Sequence, residues 1–306
     1  MISIRAIILM SISTAVPLLF ASLGGLISEK SGVTNIGIEG MIIFGAFCGM
    51  VGSYYTGSAV VGVILAMIGG GLLALIHAFI AITCGGAQAV SATGITLFSA
   101  GFTSYGLRLM FDRAGNSDTV ANLPTTEIFR NIPVIGNYLA NYSPLVYLSF
   151  IVAFGVWYLF KYTPLGTRIH TVGENPKVAE TLGIDVWRLR YICVVVSGVL
   201  AGLGGAYLSL GQMNLFQENM SAGRGYLALA AVILGRWKPG GVIISCFFFS
   251  VFDALQLQLQ VVDFYGLSPT ILAAIPYVVC LLVLAFSFGK SKGPASNGKP
   301  YMKKNN

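Results

Sequence analysis

Asn35 and Glu39 stand four residues apart in the stretch Asn35-Ile-Gly-Ile-Glu-Gly, so on a helix they share a face. Apolar segments lie on both sides. A carboxylate at membrane depth is costly, which makes it a functional candidate by default. Two roles stand open for Glu39: lining a solute path, or bracing a broken helix. A second polar group is Asn214-Leu-Phe-Gln-Glu-Asn-Met-Ser-Ala-Gly-Arg-Gly. It offers Phe216, Gln217 and Asn219 to a solute, or forms an outer loop that touches a partner. Within it Arg224 either anchors at the membrane interface or pairs with Glu218. The third group is Asp253, inside an apolar run and followed by Gln256, Gln258 and Gln260. Asp253 and Gln256 share a helix face, giving a polar pore side or hydrogen bonds between helices. All this chemistry is binding and bracing. His77 and His170 are far apart and form no metal or triad pattern, and His77 reads as a packed or pore-facing polar residue. The five cysteines have no CxxC spacing, so neither a metal site nor a disulfide framework is expected.

The elements that must carry these groups follow from composition. Of 306 residues, 56% are hydrophobic and 9% charged, against roughly 25% charged in a soluble domain. Mean hydropathy is +0.80. Too few charges exist to cover a water-exposed surface, so lipid is the solvent for most of the chain. A net charge of +7 does not indicate nucleic acid, because the cations fall between and after apolar runs, as topology signals do. Glycines lie inside the apolar runs, and the pairs Gly45/Gly49 and Gly198/Gly202 read as close helix packing.

Taking about 20 apolar residues per crossing, the chain reads as an all-α transmembrane protein of about nine spans, with eight to ten allowed. They run from Ala6 to Ile27, Met41 to Tyr54, Ser58 to Thr83, Ala89 to Phe111, Pro144 to Phe160, Tyr191 to Met213, Met220 to Trp237, Gly240 to Leu257 and Pro269 to Phe288. The first is read as an uncleaved span rather than a signal peptide. The second is short and should begin inside the preceding glycine-rich stretch. Residues 1–289 form the membrane domain, and 290–306 a basic, disordered tail. Segment 161–190 and the tail are rich in Lys and Arg and should face the cytoplasm, with Arg236 and Lys238. Segment 112–142, without basic excess, should face outside. On nine spans the N-terminus is also outside. The segments opening at Asn35 and Met220 echo one another, as in an inverted repeat with broken helices and a solute path at the repeat interface.

Between two spans lies Gly166-Thr-Arg-Ile-His-Thr-Val-Gly-Glu-Asn-Pro-Lys-Val-Ala-Glu-Thr-Leu-Gly-Ile. Asn175 can cap a helix, Pro176 suits its first position, and Gly183 can end it. A helix closed so cleanly at both ends looks like a docking element. The segment resembles the coupling loop of ABC importer permeases of the ribose, branched-chain amino-acid and nucleoside group. Ser28-Glu-Lys-Ser-Gly-Val-Thr-Asn-Ile-Gly-Ile-Glu-Gly-Met, Ser197-Gly-Val-Leu-Ala-Gly-Leu-Gly-Gly-Ala and Gly223-Arg-Gly-Tyr-Leu-Ala-Leu-Ala-Ala-Val-Ile-Leu-Gly-Arg-Trp-Lys-Pro resemble the nucleoside-type permeases in order.

The resemblance implies a subunit of the prokaryotic cytoplasmic membrane that hydrolyses nothing and holds no cofactor. It implies a second homologous permease, a cytoplasmic ATPase that uses the ATP, and an extracytoplasmic substrate-binding lipoprotein. Glu174, Asn175, Pro176, Ala179 and Gly183 would lie in or beside the coupling helix. A nucleoside has ribose hydroxyls and a base edge to satisfy, which suits Asn35, Glu39, Gln217 and Asn219, with Phe216 stacking on the base. Sugars and branched-chain amino acids are the alternative cargo. An ion-coupled carrier is the rival class, and only Glu39 and Asp253 could hold its coupling ion.

Overall fold

The structure, a computed structural model, describes residues 4–124, 142–262, 268–287 and 293–301. Its regular elements there are helices. In chain order they are α1 (Ile4–Lys30), α2 (Ile38–Thr56), α3 (Ala59–Ala78, continued by a wider turn at Phe79–Thr83), α4 (Gln88–Phe111), α5 (Pro144–Tyr162), α6 (Pro164–Glu174), α7 (Pro176–Thr181), α8 (Val186–Ala206, continued by a wider turn at Tyr207–Gln212), α9 (Arg224–Leu234), α10 (Pro239–Val261), α11 (Pro269–Ala273) and α12 (Ile275–Ser287).

Seven segments are long and apolar enough to cross a membrane: α1, α2, extended α3, α5, extended α8, α10, and α11 with α12. The nine expected spans therefore reduce to seven by this measure. The other two fail for different reasons. Helix α4 has 24 residues, about 36 Å at 1.5 Å per residue, but serines, threonines and glycines dilute its apolarity. Helix α9 has 11 residues, about 16 Å, roughly half the hydrocarbon thickness. Its expected start at Met220 is instead a run of turns, with positive φ at Asn219, Ala222 and Gly223. As expected, α2 begins within the glycine-rich stretch, at Ile38.

The core is a seam of small residues. A Cβ on Gly45 of α2 would lie 2.6 Å from the Gly202 Cα of α8, and one on Gly70 of α3 would lie 2.2 Å from the Gly198 carbonyl oxygen. Only glycine permits that approach, and in lipid this packing is what holds helices together. Outward faces carry large apolar side chains such as Leu72, Leu97, Ile151 and Leu281, as a lipid-facing surface requires.

The two ends of the bundle are distinct. At one end the backbone of Ser117, Val120 and Leu123 donates to Phe216, Asn214 and Leu210 respectively, and the Tyr142 hydroxyl donates to the Leu9 carbonyl. Residues 125–141 of the expected external segment lie outside the described residues. At the other end are the basic segment 161–190, the Arg236–Lys238 turn and residues 293–301, together as the loop charges required. The tail departs from the disorder expected of it. Over 293–301 it packs: the Ser296 amide donates to the Gly173 carbonyl at 2.9 Å, and Ser296 is buried. Its polar composition is matched by polar partners, so solvation does not win. Residues 290–292 and 302–306 lie outside the described residues.

Candidate functional site

Glu39 is buried at 3% exposure in the first turn of α2. Its Oε1 accepts from the Ser221 hydroxyl at 2.5 Å and the Gly223 amide at 2.8 Å, and its Oε2 from the Gly225 amide at 2.7 Å. Those amides belong to the start of α9, where helix N–H groups lack intrahelical acceptors. A carboxylate there also meets the favourable end of the helix dipole. Glu39 thus sits at two helix starts, its own and that of α9. In this conformation the Glu39 carboxylate braces the start of α9. Gly225 makes it geometrically feasible, since a Cβ there would come within 2.6 Å of the Glu39 backbone.

The turn 220–224 is held from two more sides. Arg224 pairs with Asp253 of α10 at 3.2 Å, with both side chains largely buried. Its guanidinium also donates to the carbonyls of Met220 and Ser221. The Tyr277 hydroxyl of α12 donates to the Ala222 carbonyl. The alternatives offered for Arg224, an interface anchor or a pair with Glu218, are both replaced. Glu218 instead accepts from Ser104 at 2.8 Å. Asp253 also accepts from Gln256 at 3.2 Å, and Gln260 donates to Gln256. Of the two readings for Asp253, hydrogen bonding between helices is the one observed. Ser221 and Tyr277 had no signal in the sequence beyond their neighbourhood.

The first polar break, residues 31–37, is pinned likewise. The Asn35 amide group donates to the Ser197 hydroxyl of α8 at 3.1 Å. The Thr34 amide donates to Gln88 of α4 at 2.7 Å. His77 is packed rather than pore-facing, bonded to Ser91 and to the Thr34 carbonyl. The Oδ1 of Asn35 and Nε2 of Gln88 are buried without a protein partner, so one acceptor and one donor remain unused at this break.

The other residues nominated for a solute lie elsewhere. Phe216 is fully buried, edge-on to Phe47 with centroids 5.4 Å apart. No face of its ring is open to a base here. Gln217 faces Asn116 in a backbone bridge, and Asn219 is exposed in a left-handed turn. Among the described residues no cluster of His, Cys, Asp and Glu could hold a metal.

At the opposite end, Asn175 caps α7 by accepting from the Val178 amide at 3.3 Å, Pro176 occupies its first turn, and Gly183 ends it at φ +76°. This is the local structure the sequence indicated. Glu174 is exposed beside His170 at 3.9 Å. Ala179 is fully buried against Val172 and Val186, with Ile184, Leu189 and Tyr301 packed around them. It therefore seats the helix, and the outward groups are Lys177, Val178 and Leu182. Hollows of about 450 and 350 Å³ flank the helix, the first lined by Glu180, Asp185, Trp187 and Tyr301, the second by Leu165, Arg168, Leu182 and Arg188.

The chain is thus a polytopic helical bundle with two pinned helix breaks and a short capped helix at one end. The chain belongs to the family described as the branched-chain amino acid transport system / permease component, which matches residues 7–287. It is 34% identical over 301 residues to the guanosine ABC transporter permease protein NupQ of Bacillus subtilis, covering 94% of each chain. It is 32% identical over 296 residues to the nucleoside ABC transporter permease protein NupC of Lactococcus lactis, covering 94% of this chain and 93% of that one. A Haloferax volcanii permease, provisionally named for glucose, is 31% identical with 90% of each chain covered. An ABC transporter solved in an inward-facing conformation shares the fold, with a TM-score of 0.53 over 94% of this chain and 88% of that one at 17% identity. The resemblance drawn from the motifs is borne out. The chain is a multi-pass protein of a prokaryotic cytoplasmic membrane.

Proposed function

We propose that this chain is the permease subunit of an ABC importer that carries nucleosides across the cytoplasmic membrane, with ATP hydrolysed on a separate subunit. The observation that carries this reading is the likeness to guanosine and nucleoside permeases over more than nine-tenths of the chain. The partners are a second homologous permease, a cytoplasmic ATPase and an extracytoplasmic substrate-binding lipoprotein. The permease itself uses no cofactor. Its part is a packing change between two states.

Nine crossings complete the topology: the seven apolar segments, the less apolar α4, and α9 together with the turns before it. The N-terminus and segment 112–142 then face outside, and segment 161–190 and the tail face the cytoplasm. The two breaks form the core of an inverted repeat, clamped together by Glu39. A nucleoside is neutral, and the unused Asn35 Oδ1 suits one of its hydroxyls. Gln217 and Asn219 stand near the outer mouth, and Phe216 turns a face toward a base only after the 210–218 segment shifts. Glu174, Asn175, Pro176, Ala179 and Gly183 shape the coupling helix that docks on the ATPase, with Lys177, Val178 and Leu182 as its contact face. The ion-coupled alternative is disfavoured because Glu39 and Asp253 are already paired within the protein.

Glucose is the second reading, because of the 31% identical Haloferax relative. Competition separates them. In liposomes holding the assembled complex, ATP-dependent uptake of labelled guanosine should be suppressed by excess unlabelled nucleosides and not by glucose or leucine. Suppression by glucose alone would replace the nucleoside reading with the sugar one.

A further inference from the structure

Residues 293–301 do more than cover the end of the bundle. The Ser296 hydroxyl donates to the Gly173 carbonyl at 2.5 Å and accepts from the Arg190 guanidinium at 3.1 Å. Arg190 is itself 1% exposed, and its Nε donates to the Ser31 carbonyl at 3.0 Å. Asn297 accepts from the Thr34 hydroxyl at 3.0 Å. Four residues further on, the Tyr301 hydroxyl donates to Glu180 on the coupling helix α7. The Tyr301 ring packs with Ala179 and Ile184 and stands 5.8 Å from the Arg190 guanidinium. Gly293, at the other end of the segment, rests on the Trp237 ring, whose Nε1 donates to Glu29 at 2.5 Å.

One nine-residue segment therefore touches the end of α1, the first polar break, the end of α6, the coupling helix, α8 and the turn after α9. α7 also reaches the bundle through Ala179 and through the end of α6, where Gly173 lies against Lys30 and Gly32, and the tail adds a polar route from α7 to Thr34. Polar contacts this dense hold a chain of Pro, Ala, Ser, Asn, Gly and Lys that has little apolar area to bury.

We propose that the C-terminal segment 293–301 is a transmission strap: Ser296 and Asn297 anchor it to the first polar break, and Tyr301 clasps Glu180, so that movement of the coupling helix reaches that break through the tail. This rests on the transport reading above, in which α7 is driven by an ATPase. Tyr301 and Ser296 are positioning residues. They act through α7 and the break, not on the solute. A push on α7 is passed through Tyr301 and the tail to Ser31, by way of Ser296 and Arg190, and to Thr34, by way of Asn297; Thr34 directly precedes Asn35, which bonds Ser197.

The test uses the full-length permease assembled with its partner permease and ATPase in liposomes. The variants are Tyr301→Phe, Glu180→Ala, the two combined, and Glu180→Gln, which keeps an acceptor oxygen. Amide hydrogen exchange is read over residues 176–184 and 31–37, and labelled guanosine carried per ATP hydrolysed is read in parallel. The strap predicts exchange about three- to fivefold faster in both segments for Tyr301→Phe and Glu180→Ala. Guanosine carried per ATP should fall severalfold, with no further fall in the combined variant, while Glu180→Gln matches the parent. Exchange that is unchanged, or faster in 176–184 alone, overturns the strap, as does an unaltered guanosine-to-ATP ratio. If the parent complex hydrolyses ATP without moving guanosine, the transport reading fails on its own, and exchange in 31–37 alone decides the strap.

Discussion

At Glu39 a carboxylate that would be expensive to bury alone is satisfied by three donors from the start of a different helix. Its identity as a functional candidate was legible in the sequence, because an acid between apolar runs needs a reason. Its partners were not, since Ser221, Gly223 and Gly225 lie more than 180 residues away and two of the three donors are backbone amides. Bracing and lining separate kinetically. Glu39→Gln should lower maximal uptake and thermal stability, the latter by about 1–3 kcal/mol as one good acceptor is lost, with KM unchanged. A raised KM at normal stability would return Glu39 to the solute path. Arg224 carries a second expectation. Removing either member of its buried pair with Asp253 leaves an uncompensated charge, which costs about 3–5 kcal/mol. Arg224→Met and Asp253→Leu should each reduce the unfolding temperature of the purified protein sharply, and the double variant should recover most of the loss. Equal losses that simply add would mean the two do not act as a pair. The sequence offered Arg224 an interface anchor or a pair with Glu218, its near neighbour in the chain, and neither alternative included Asp253, 29 positions on.

Among the elements, the short capped helix α7 was the most legible. Its cap, first-turn proline and terminal glycine are local features, and each is where the sequence placed it. Asn175→Ala should loosen α7 by about 1 kcal/mol. Gly183→Val forces a branched side chain into a left-handed conformation and should uncouple ATP hydrolysis from uptake, with the protein still inserted. Normal coupling in Gly183→Val would sever α7 from the ATPase. The glycine seam was legible too, since its spacing matched close packing. Gly202→Val would drive a Cβ to 2.2 Å from the Ala66 carbonyl oxygen of α3, and the protein recovered from membranes should fall to a small fraction of normal. The short α9 was less legible. Apolarity ran on to Met220, but the helix starts only where Glu39 supplies acceptors for its first amides. The ordered tail was missed for a similar reason: composition reports solvation, and the partners of Ser296 and Tyr301 come from α6, α7 and α8, far back in the chain.

At the scale of the whole molecule, loop charges and bundle geometry agree. The two basic segments and the Arg236–Lys238 turn meet at one end, and residues 112–124 lie at the other. Glu39 joins the helix starts of the two polar breaks. In the proposed function, this joint is where packing would change as a separate ATPase hydrolyses ATP. The most direct measurement is uptake of labelled guanosine and uridine by cells with and without this gene, and by cells whose cognate ATPase is inactivated. The account predicts that uptake is lost in both altered strains. Uptake that survives loss of the ATPase, or is untouched by loss of this gene, would contradict it.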